Sequence, residues 1–196
     1  MSIKQHHDPL ILFSDWLEEA IVHEPNDPNA ACLATADKNA LPSARMILLK
    51  HFDSEGFVFY TNTGSRKGDE LEANPNAALC FHWKSIRRQV RVEGSTAPIS
   101  SHAADEYFRT RPRSAQIGAW ASTQSKILPN REALEGRFLN YETKFSGEDV
   151  PRPPHWSGYQ LKAKRIEFWL NQDSRLHERL SYQKKAGHWH SDLLFP

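Results

Sequence analysis

The segment Arg175-Leu-His-Glu-Arg179 places two guanidiniums and an imidazole within five residues. Read as a strand, period-two geometry sets Arg175, His177 and Arg179 on one face, with Leu176 and Glu178 on the other. If buried, that face needs an anion or hydrogen-bonding partners, because uncompensated buried charge is costly. A phosphate or carboxylate would satisfy it; in water it is the solvated side of an edge strand. Thr61-Asn-Thr-Gly-Ser-Arg-Lys67 joins a strand end, a glycine, a serine able to cap and two cations entering a helix. Free backbone N–H groups and positive charge coincide there, as a phosphate requires. The GxxxxGK[ST] spacing is absent, however, and an ordinary capped helix start has the same composition. In Arg45-Met-Ile-Leu-Leu-Lys50 the two cations stand five residues apart, so an unbroken strand points them to opposite faces and to different ligands or ligand ends.

Two further cationic groups have simpler readings. Lys84, Arg87, Arg88 and Arg91 surround Gln89, and a regular strand gives Arg87, Gln89 and Arg91 one face, which reads as solvated charge. Tyr107, Arg109, Arg111 and Arg113 crowd a helix end against Pro112, where cations suit the C-terminal dipole whatever the function. His188 and His190 share a strand face without an evident third ligand, so no metal is expected. Cys32 and Cys80 each sit in an apolar run outside any CxxC pair and read as small buried hydrophobes. There is no GxSxG elbow and no other activated nucleophile. A cationic pocket without a nucleophile points to a cofactor that carries the chemistry.

The elements that must position these groups are short. The chain has 196 residues, enough for one domain, with 39% hydrophobic residues and 21 aromatics to fill a core. Twenty-five Lys and Arg against 24 Asp and Glu leave a net charge of +1, which gives no bulk attraction to nucleic acid or anionic membrane. A nucleic-acid-binding barrel using Arg87, Arg88 and Arg91 is disfavoured on that ground. No apolar run approaches a membrane span, and MSIKQHHDPL does not resemble a secretory leader, so a cytoplasmic protein is expected. Asp8-Pro9 followed by Leu10, Phe13, Trp16 or Leu17, and Ala20 or Ile21 predicts a helix over about 9–22. Strands are predicted near 30–36, 41–51, 56–61, 77–83, 86–99, 159–170, 175–184 and 188–194, with helices after Ser65 and over about 101–109 and 130–145. Residues 1–8 read as a short flexible lead into a single domain over 9–196. Strands joined without crossover helices predict a mainly β fold with inserted helices, an antiparallel barrel whose closure removes exposed edges.

Several of these segments together resemble the pyridoxine/pyridoxamine 5'-phosphate oxidase family. The likeness rests on RMILLK (45–50), FYTNTGSRK (59–67), RQV (88–90), YFRTRPRSAQIGAW (107–120), STQS (122–125), RIEFW (165–169) and RLHER (175–179). It spans roughly residues 8–196, and QIGAW with RLHER is its specific part. The resemblance implies a split antiparallel barrel that dimerises with FMN at the subunit interface. By the same resemblance, Arg45, Met46, Ile47, Leu48, Leu49, Lys50, Tyr60, Thr61, Arg66, Lys67, Gln89, Gln124, Ser125, Trp169 and Arg179 contact FMN. Lys50, Tyr107, Arg111 and the position of Ala115 hold the substrate phosphate, and Arg175, Leu176 and His177 lie over the pyridine ring. Arg175 and His177 then have orienting and electrostatic roles in catalysis.

The implied reaction converts pyridoxine 5'-phosphate or pyridoxamine 5'-phosphate to pyridoxal 5'-phosphate, with hydride transfer to flavin and reoxidation by O2 to hydrogen peroxide. The amine substrate also releases ammonia. A non-catalytic flavin- or pyridoxal-phosphate-binding protein on the same barrel is the alternative. Three departures from the family pattern stand out. Ala115 replaces the usual serine, the N-terminus lacks the Arg and Tyr of a substrate lid, and the C-terminus reads DLLFP where an Arg is common.

Overall fold

The computed structural model describes residues 2–196. Helix α1 (Pro9–His23) begins where the Asp8 carboxylate accepts from the Leu10 N–H at 2.9 Å, and it buries Leu12, Phe13, Trp16 and Ala20. Phe13 is the hub of this packing, with edge-to-face contacts to Phe52, Phe57 and Phe81 at 4.8, 5.1 and 5.2 Å. The first strands, β1 (Ala30–Ala36), β2 (Pro42–Asp53) and β3 (Gly56–Asn62), form an antiparallel meander. Helix α2 (Arg66–Ala73) follows, then β4 (Asn76–Trp83) and β5 (Arg88–Pro98). Helices α3 (Ser101–Arg109), α4 (Arg113–Ala121) and α5 (Arg131–Lys144) precede β6 (Trp156–Leu170), β7 (Glu178–Lys185) and β8 (His188–Leu194).

The strand order is β3-β2-β1-β4-β5-β6-β7-β8, and β3 also pairs with β6, so six strands close an antiparallel barrel. The expected barrel with inserted helices is therefore borne out. The first half of β6 pairs with β3 from Trp156 to Leu161, and its second half pairs with β7 from Arg165 to Leu170. Strand β5 keeps up with this bend through a register shift between Glu93 and Gly94. A Cβ on Gly94 would lie 2.0 Å from the Lys162 carbonyl oxygen, so only glycine fits there.

Alternation divides each strand between core and surface. Leu33, Leu49, Phe59, Leu79, Val90, Val92, Ile166 and Phe168 fill the interior. One row on the opposite face runs through register partners Met46, Cys32, Cys80, Arg91, Glu167 and Ser181 across six strands. A parallel row holds Gln89, Trp169 and Arg179. The two cysteines are thus opposed, half-buried and free on this outer face, not buried in the core. Residues 2–6 lie along the C-terminal strands: Ser2 Oγ and the Ile3 N–H donate to Glu178 at 2.8 and 2.7 Å, and the Tyr182 hydroxyl donates to the His6 carbonyl at 2.9 Å.

Three local expectations are corrected. The strand expected from Arg175 starts only at Glu178, because Ser174 and Arg175 adopt left-handed φ values of 56° and 63°. Bonds within the loop replace ladder bonds there, the Leu176 N–H reaching the Asp173 carbonyl at 3.1 Å, so the alternating face of Arg175, His177 and Arg179 does not exist. Arg87 lies in the turn at φ 56°, off the face shared by Gln89 and Arg91. Arg88 is buried rather than solvated, paired with Glu19 at 2.6 Å and stacked 4.8 Å from the Trp16 ring. Helix α4, unforeseen, starts behind Pro112 and buries Gln116, Ile117 and Ala121.

Candidate active site

The ends of β2 and β3, the first turn of α2, helix α4 and the start of β6 surround a cleft of about 450 Å³. Met46 and Ile47 come from β2, Tyr60 and Thr61 from β3, and Lys67 from α2. Helix α4 contributes Ala115, Gly118 and Ala119, whose small side chains leave the cleft its width. Gln124 enters from the loop after α4, and Arg111 from the connection before it.

Two cations give the cleft its chemistry. Lys67 is 8% exposed; its ammonium donates to Gln124 Oε1 at 2.8 Å and Ser65 Oγ at 3.0 Å. Burial, with help from Arg45, lowers its affinity for the proton, and Glu70 opposes this. The Arg111 guanidinium stacks 4.8 Å from the Trp156 ring and 5.6 Å from that of Phe108. One of its terminal nitrogens, Nη1, is buried with no hydrogen-bond partner among the described residues, and burial lowers the pKa of the group. A buried guanidinium N–H without a partner is an expensive feature unless an anion completes it. Tyr60 stacks on Tyr107 at 3.9 Å and on Trp156 at 5.2 Å, making an aromatic wall beside Arg111. Burial, followed by the neighbouring Tyr107, raises the Tyr60 pKa, so its hydroxyl keeps its proton at neutral pH.

Behind the cleft, Arg45 faces the underside of α2 and donates to Glu70 Oε2 at 2.9 Å, with further bonds to Ser43 and Thr35. Arg66 projects from the first turn of α2 and is largely exposed. On β2, Leu49 points into the core at 3% exposure, whereas Leu48 and Lys50 lie on the outer face; Arg45 and Lys50 thus point to opposite faces as expected. Ser125 sits beside Gln124 at a φ of 69°.

A second group collects at the far end of β6. Gln89, Trp169 and Arg179 are register partners across β5, β6 and β7. Arg179 donates twice to Glu167 Oε1, at 2.9 and 3.0 Å, and to the Phe195 carbonyl. Glu167, 3% exposed, also receives Arg91 at 2.7 Å and Arg165 at 3.3 Å. His177 packs 4.6 Å from the Trp169 ring, and its Nδ1 accepts from the Gln172 N–H at 3.2 Å. Arg175 and Leu176 are exposed in the loop beside it. The structure thus brings Met46, Ile47, Tyr60, Thr61, Lys67, Arg111, Ala115 and Gln124 together, while Gln89, Trp169, Arg175, His177 and Arg179 stand apart. Thirteen strand positions of β6 separate Trp156 from Trp169, about 40 Å of extended chain.

Sequence reading missed Asn62, Gly118, Ala119, Ser122 and Trp156 as cleft residues. The Pro-rich stretch before Trp156 marks where β6 begins, but nothing local shows that the indole faces Arg111. It also missed Glu70 and Glu167: Glu70 is shared between Arg66 of its own helix and Arg45 of β2, and Glu167 receives Arg91 and Arg179 from the two neighbouring strands.

Residues 17–145 match the family described as pyridoxamine 5'-phosphate oxidase, and residues 156–196 match its pyridoxine 5'-phosphate oxidase C-terminal dimerisation region. A pyridoxine/pyridoxamine 5'-phosphate oxidase of Caulobacter vibrioides is 56% identical over 189 residues, covering 96% of this chain and 85% of that protein. One from Sphingopyxis alaskensis is 53% identical over 196 residues, 100% of this chain and 91% of its own. Among solved structures, PhzG of Burkholderia lata, in complex with tetrahydrophenazine-1-carboxylic acid, superposes with a TM-score of 0.93 at 32% identity, covering 98% of this chain and 95% of its own. An FMN-binding, pyridoxamine 5'-phosphate oxidase-related protein of Nostoc punctiforme shares the fold, with a TM-score of 0.75 at 20% identity over 94% of this chain and 97% of its own. With matches over both parts of the barrel and over half the residues shared with a full-length relative, the chain belongs to the pyridoxine/pyridoxamine 5'-phosphate oxidase family.

Proposed function

We propose that this protein oxidises pyridoxine 5'-phosphate and pyridoxamine 5'-phosphate to pyridoxal 5'-phosphate, using FMN and O2, at a site assembled between two copies of the chain. The observation that carries this reading is the Arg111 guanidinium, whose buried Nη1 lacks a partner among the described residues, in a cleft that also holds the Lys67 ammonium. Two phosphates, one on the flavin and one on the substrate, suit such a cationic donor set. The residues present fit FMN: Lys67, Arg66, Gln124 and Thr61 offer donors to its polar end, and Met46 and Ile47 an apolar edge. When bound, FMN supplies the acceptor for the substrate's hydride and passes two electrons to O2, giving hydrogen peroxide.

The chain's own groups bind and orient. Arg111, with Tyr107 beside it and Lys50 on the outer face, takes the substrate phosphate. His177 accepts at Nδ1, which leaves its Nε2 N–H to donate to a substrate oxygen. Arg175 makes no hydrogen bond or ion pair among the described residues and is free to take a ring substituent of the substrate.

Two copies are needed because one copy's cleft and its Gln89-Trp169-Arg179 row lie at opposite ends of β6. Both groups nonetheless border one outer face, since the register row from Met46 through Cys32, Cys80 and Arg91 ends at Glu167, two residues from Trp169. A two-fold pairing of that face sets each copy's row against its partner's cleft. The match of residues 156–196 to a dimerisation region supports this arrangement.

The test is an anaerobic mixture of FMN-loaded protein and pyridoxine 5'-phosphate, then pyridoxamine 5'-phosphate, followed by admission of O2. Flavin bleaching and pyridoxal phosphate formation are expected with both. Flavin that stays yellow would replace the oxidase with the non-catalytic binder.

A further inference from the structure

Resting on the flavin reading above, we propose that Glu70 is a positioning residue for the cofactor phosphate, fixing α2 on the barrel and holding Arg66 by its Nε so that both terminal nitrogens are available to the anion. Glu70 is 5% exposed, and its carboxylate is filled by donors from three elements. Oε2 accepts from Thr35 Oγ1 at 2.5 Å, Ser43 Oγ at 2.6 Å and Arg45 NH2 at 2.9 Å, while Oε1 accepts from Arg66 Nε at 2.8 Å. Thr35 lies on β1, Ser43 and Arg45 on β2, and Arg66 on α2 itself. One carboxylate therefore ties the helix to two barrel strands.

Charge shows that the cluster is not self-contained. Arg45, Arg66 and Lys67 bring three positive charges against the single charge of Glu70. The surplus of two matches a phosphate monoester, which carries about −1.5 to −2 near neutral pH. The other carboxylates of α2, Asp69 and Glu72, line a different cavity with Pro75 and Tyr159, so they do not cancel it. Arg66 spends only Nε, on Glu70; its terminal nitrogens have no partner among the described residues. The seat of the helix is equally constrained, since a Cβ on Gly68 would fall 1.9 Å from the Thr63 carbonyl oxygen. The first turn of α2 thus rests on the loop that follows Thr61 and Asn62, both in the cleft wall. A shift of α2 would move Lys67, Arg66 and that loop together.

The experiment compares dissociation constants of FMN and riboflavin, which differ by the phosphate, from quenching of flavin fluorescence by flavin-stripped full-length protein. Glu70→Gln is expected to weaken FMN about 10-fold or more while changing riboflavin less than about 2-fold, the loss being in charge-assisted phosphate bonds. In an Arg66→Ala background the same substitution is expected to cost FMN less than about 3-fold, because the group it orients is gone. Should Glu70→Gln fail to fold, Arg66→Lys, at an exposed position, keeps the charge but loses the Nε bond and is expected to lower the FMN-to-riboflavin preference about 10-fold. Equal weakening of both flavins, unchanged FMN affinity, or full additivity with Arg66→Ala would overturn the proposal. Wild-type protein that binds neither flavin would instead remove the flavin reading beneath it.

Discussion

Replacing Arg111 with leucine should separate the function of this residue from its structural cost. In the folded protein the guanidinium gains a stack on Trp156 at 4.8 Å but leaves Nη1 buried and unpartnered among the described residues. The stack contributes about 1–2 kcal/mol for a desolvated cation, and the unpartnered donor costs about 1–3 kcal/mol. Removing both therefore lowers stability by no more than about 1 kcal/mol, which for a chain of this size lowers Tm by no more than about 4 °C. Substrate binding has no such compensation. A charge-assisted bond to the phosphate is worth about 1.5–3 kcal/mol, so kcat/KM for pyridoxine 5'-phosphate should fall roughly 10- to 150-fold. Steady-state kinetics and thermal unfolding of the same FMN-loaded preparation test both halves. A Tm lowered by about 10 °C would show that Arg111 is chiefly a structural residue. A kcat/KM within about twofold of wild type would show that no phosphate meets it.

Glu70 should make stability acid-sensitive. Burial alone would raise its pKa, but hydrogen bonds from Ser43, Thr35, Arg45 and Arg66 outweigh that and pull it from 4.5 down to about 2. A carboxylate depressed in the folded state stabilises above its unfolded pKa and loses that contribution as pH falls toward the folded one. Glu70 thus contributes about 3 kcal/mol at neutral pH, and about 2 kcal/mol of this disappears between pH 5.5 and pH 3. Denaturant titrations of wild type and Glu70→Gln should converge by that amount over this interval; a constant gap would refute the assignment. Ala115→Ser, adding a hydroxyl in the cleft wall, should lower KM for both substrates about fivefold, as for one hydrogen bond near 1 kcal/mol. An unchanged KM would show that the substrate does not pass that wall. A statistical mixture of Lys67→Ala and Arg179→Ala chains should regain FMN binding at about a quarter of all sites, since about half the dimers are mixed and one of the two sites in each mixed dimer is intact. Regain of none would place both residues in a site within one chain.

How far the sequence can be read depended on how local each feature is. The strands β1 to β5 follow alternation and turn residues over a few positions, and their order along the chain implies hairpins and a barrel. The α1 cap at Asp8-Pro9 is equally local. The Arg175–Arg179 stretch defeated the same reasoning because a left-handed pair, Ser174 and Arg175, delays the strand, and neither residue type announces that geometry. Helix α4 was hidden because its buried side is only Gln116, Ile117 and Ala121, too few apolar residues to declare a period. For the site, cations were visible and their counterparts were not. Arg45 and Arg66 stand out in sequence, yet Glu70 becomes their common acceptor only when α2 lies across β1 and β2. Arg88 looked solvated because its partner Glu19 is 69 residues away.

The divided pairing of β6 has a kinetic consequence. Its first half closes the barrel on β3, joining residues about 100 positions apart, a contact that forms late because the long loop between them must first be closed. Until then Trp156 has no place beside Tyr60, and the cleft has no floor. The second half of the same strand carries Trp169 to the surface that the proposed partner copy must meet. Recovery of flavin binding after denaturation should therefore lag behind recovery of strand content, and the lag should shorten as protein concentration rises, because the last step is an encounter between two closed barrels.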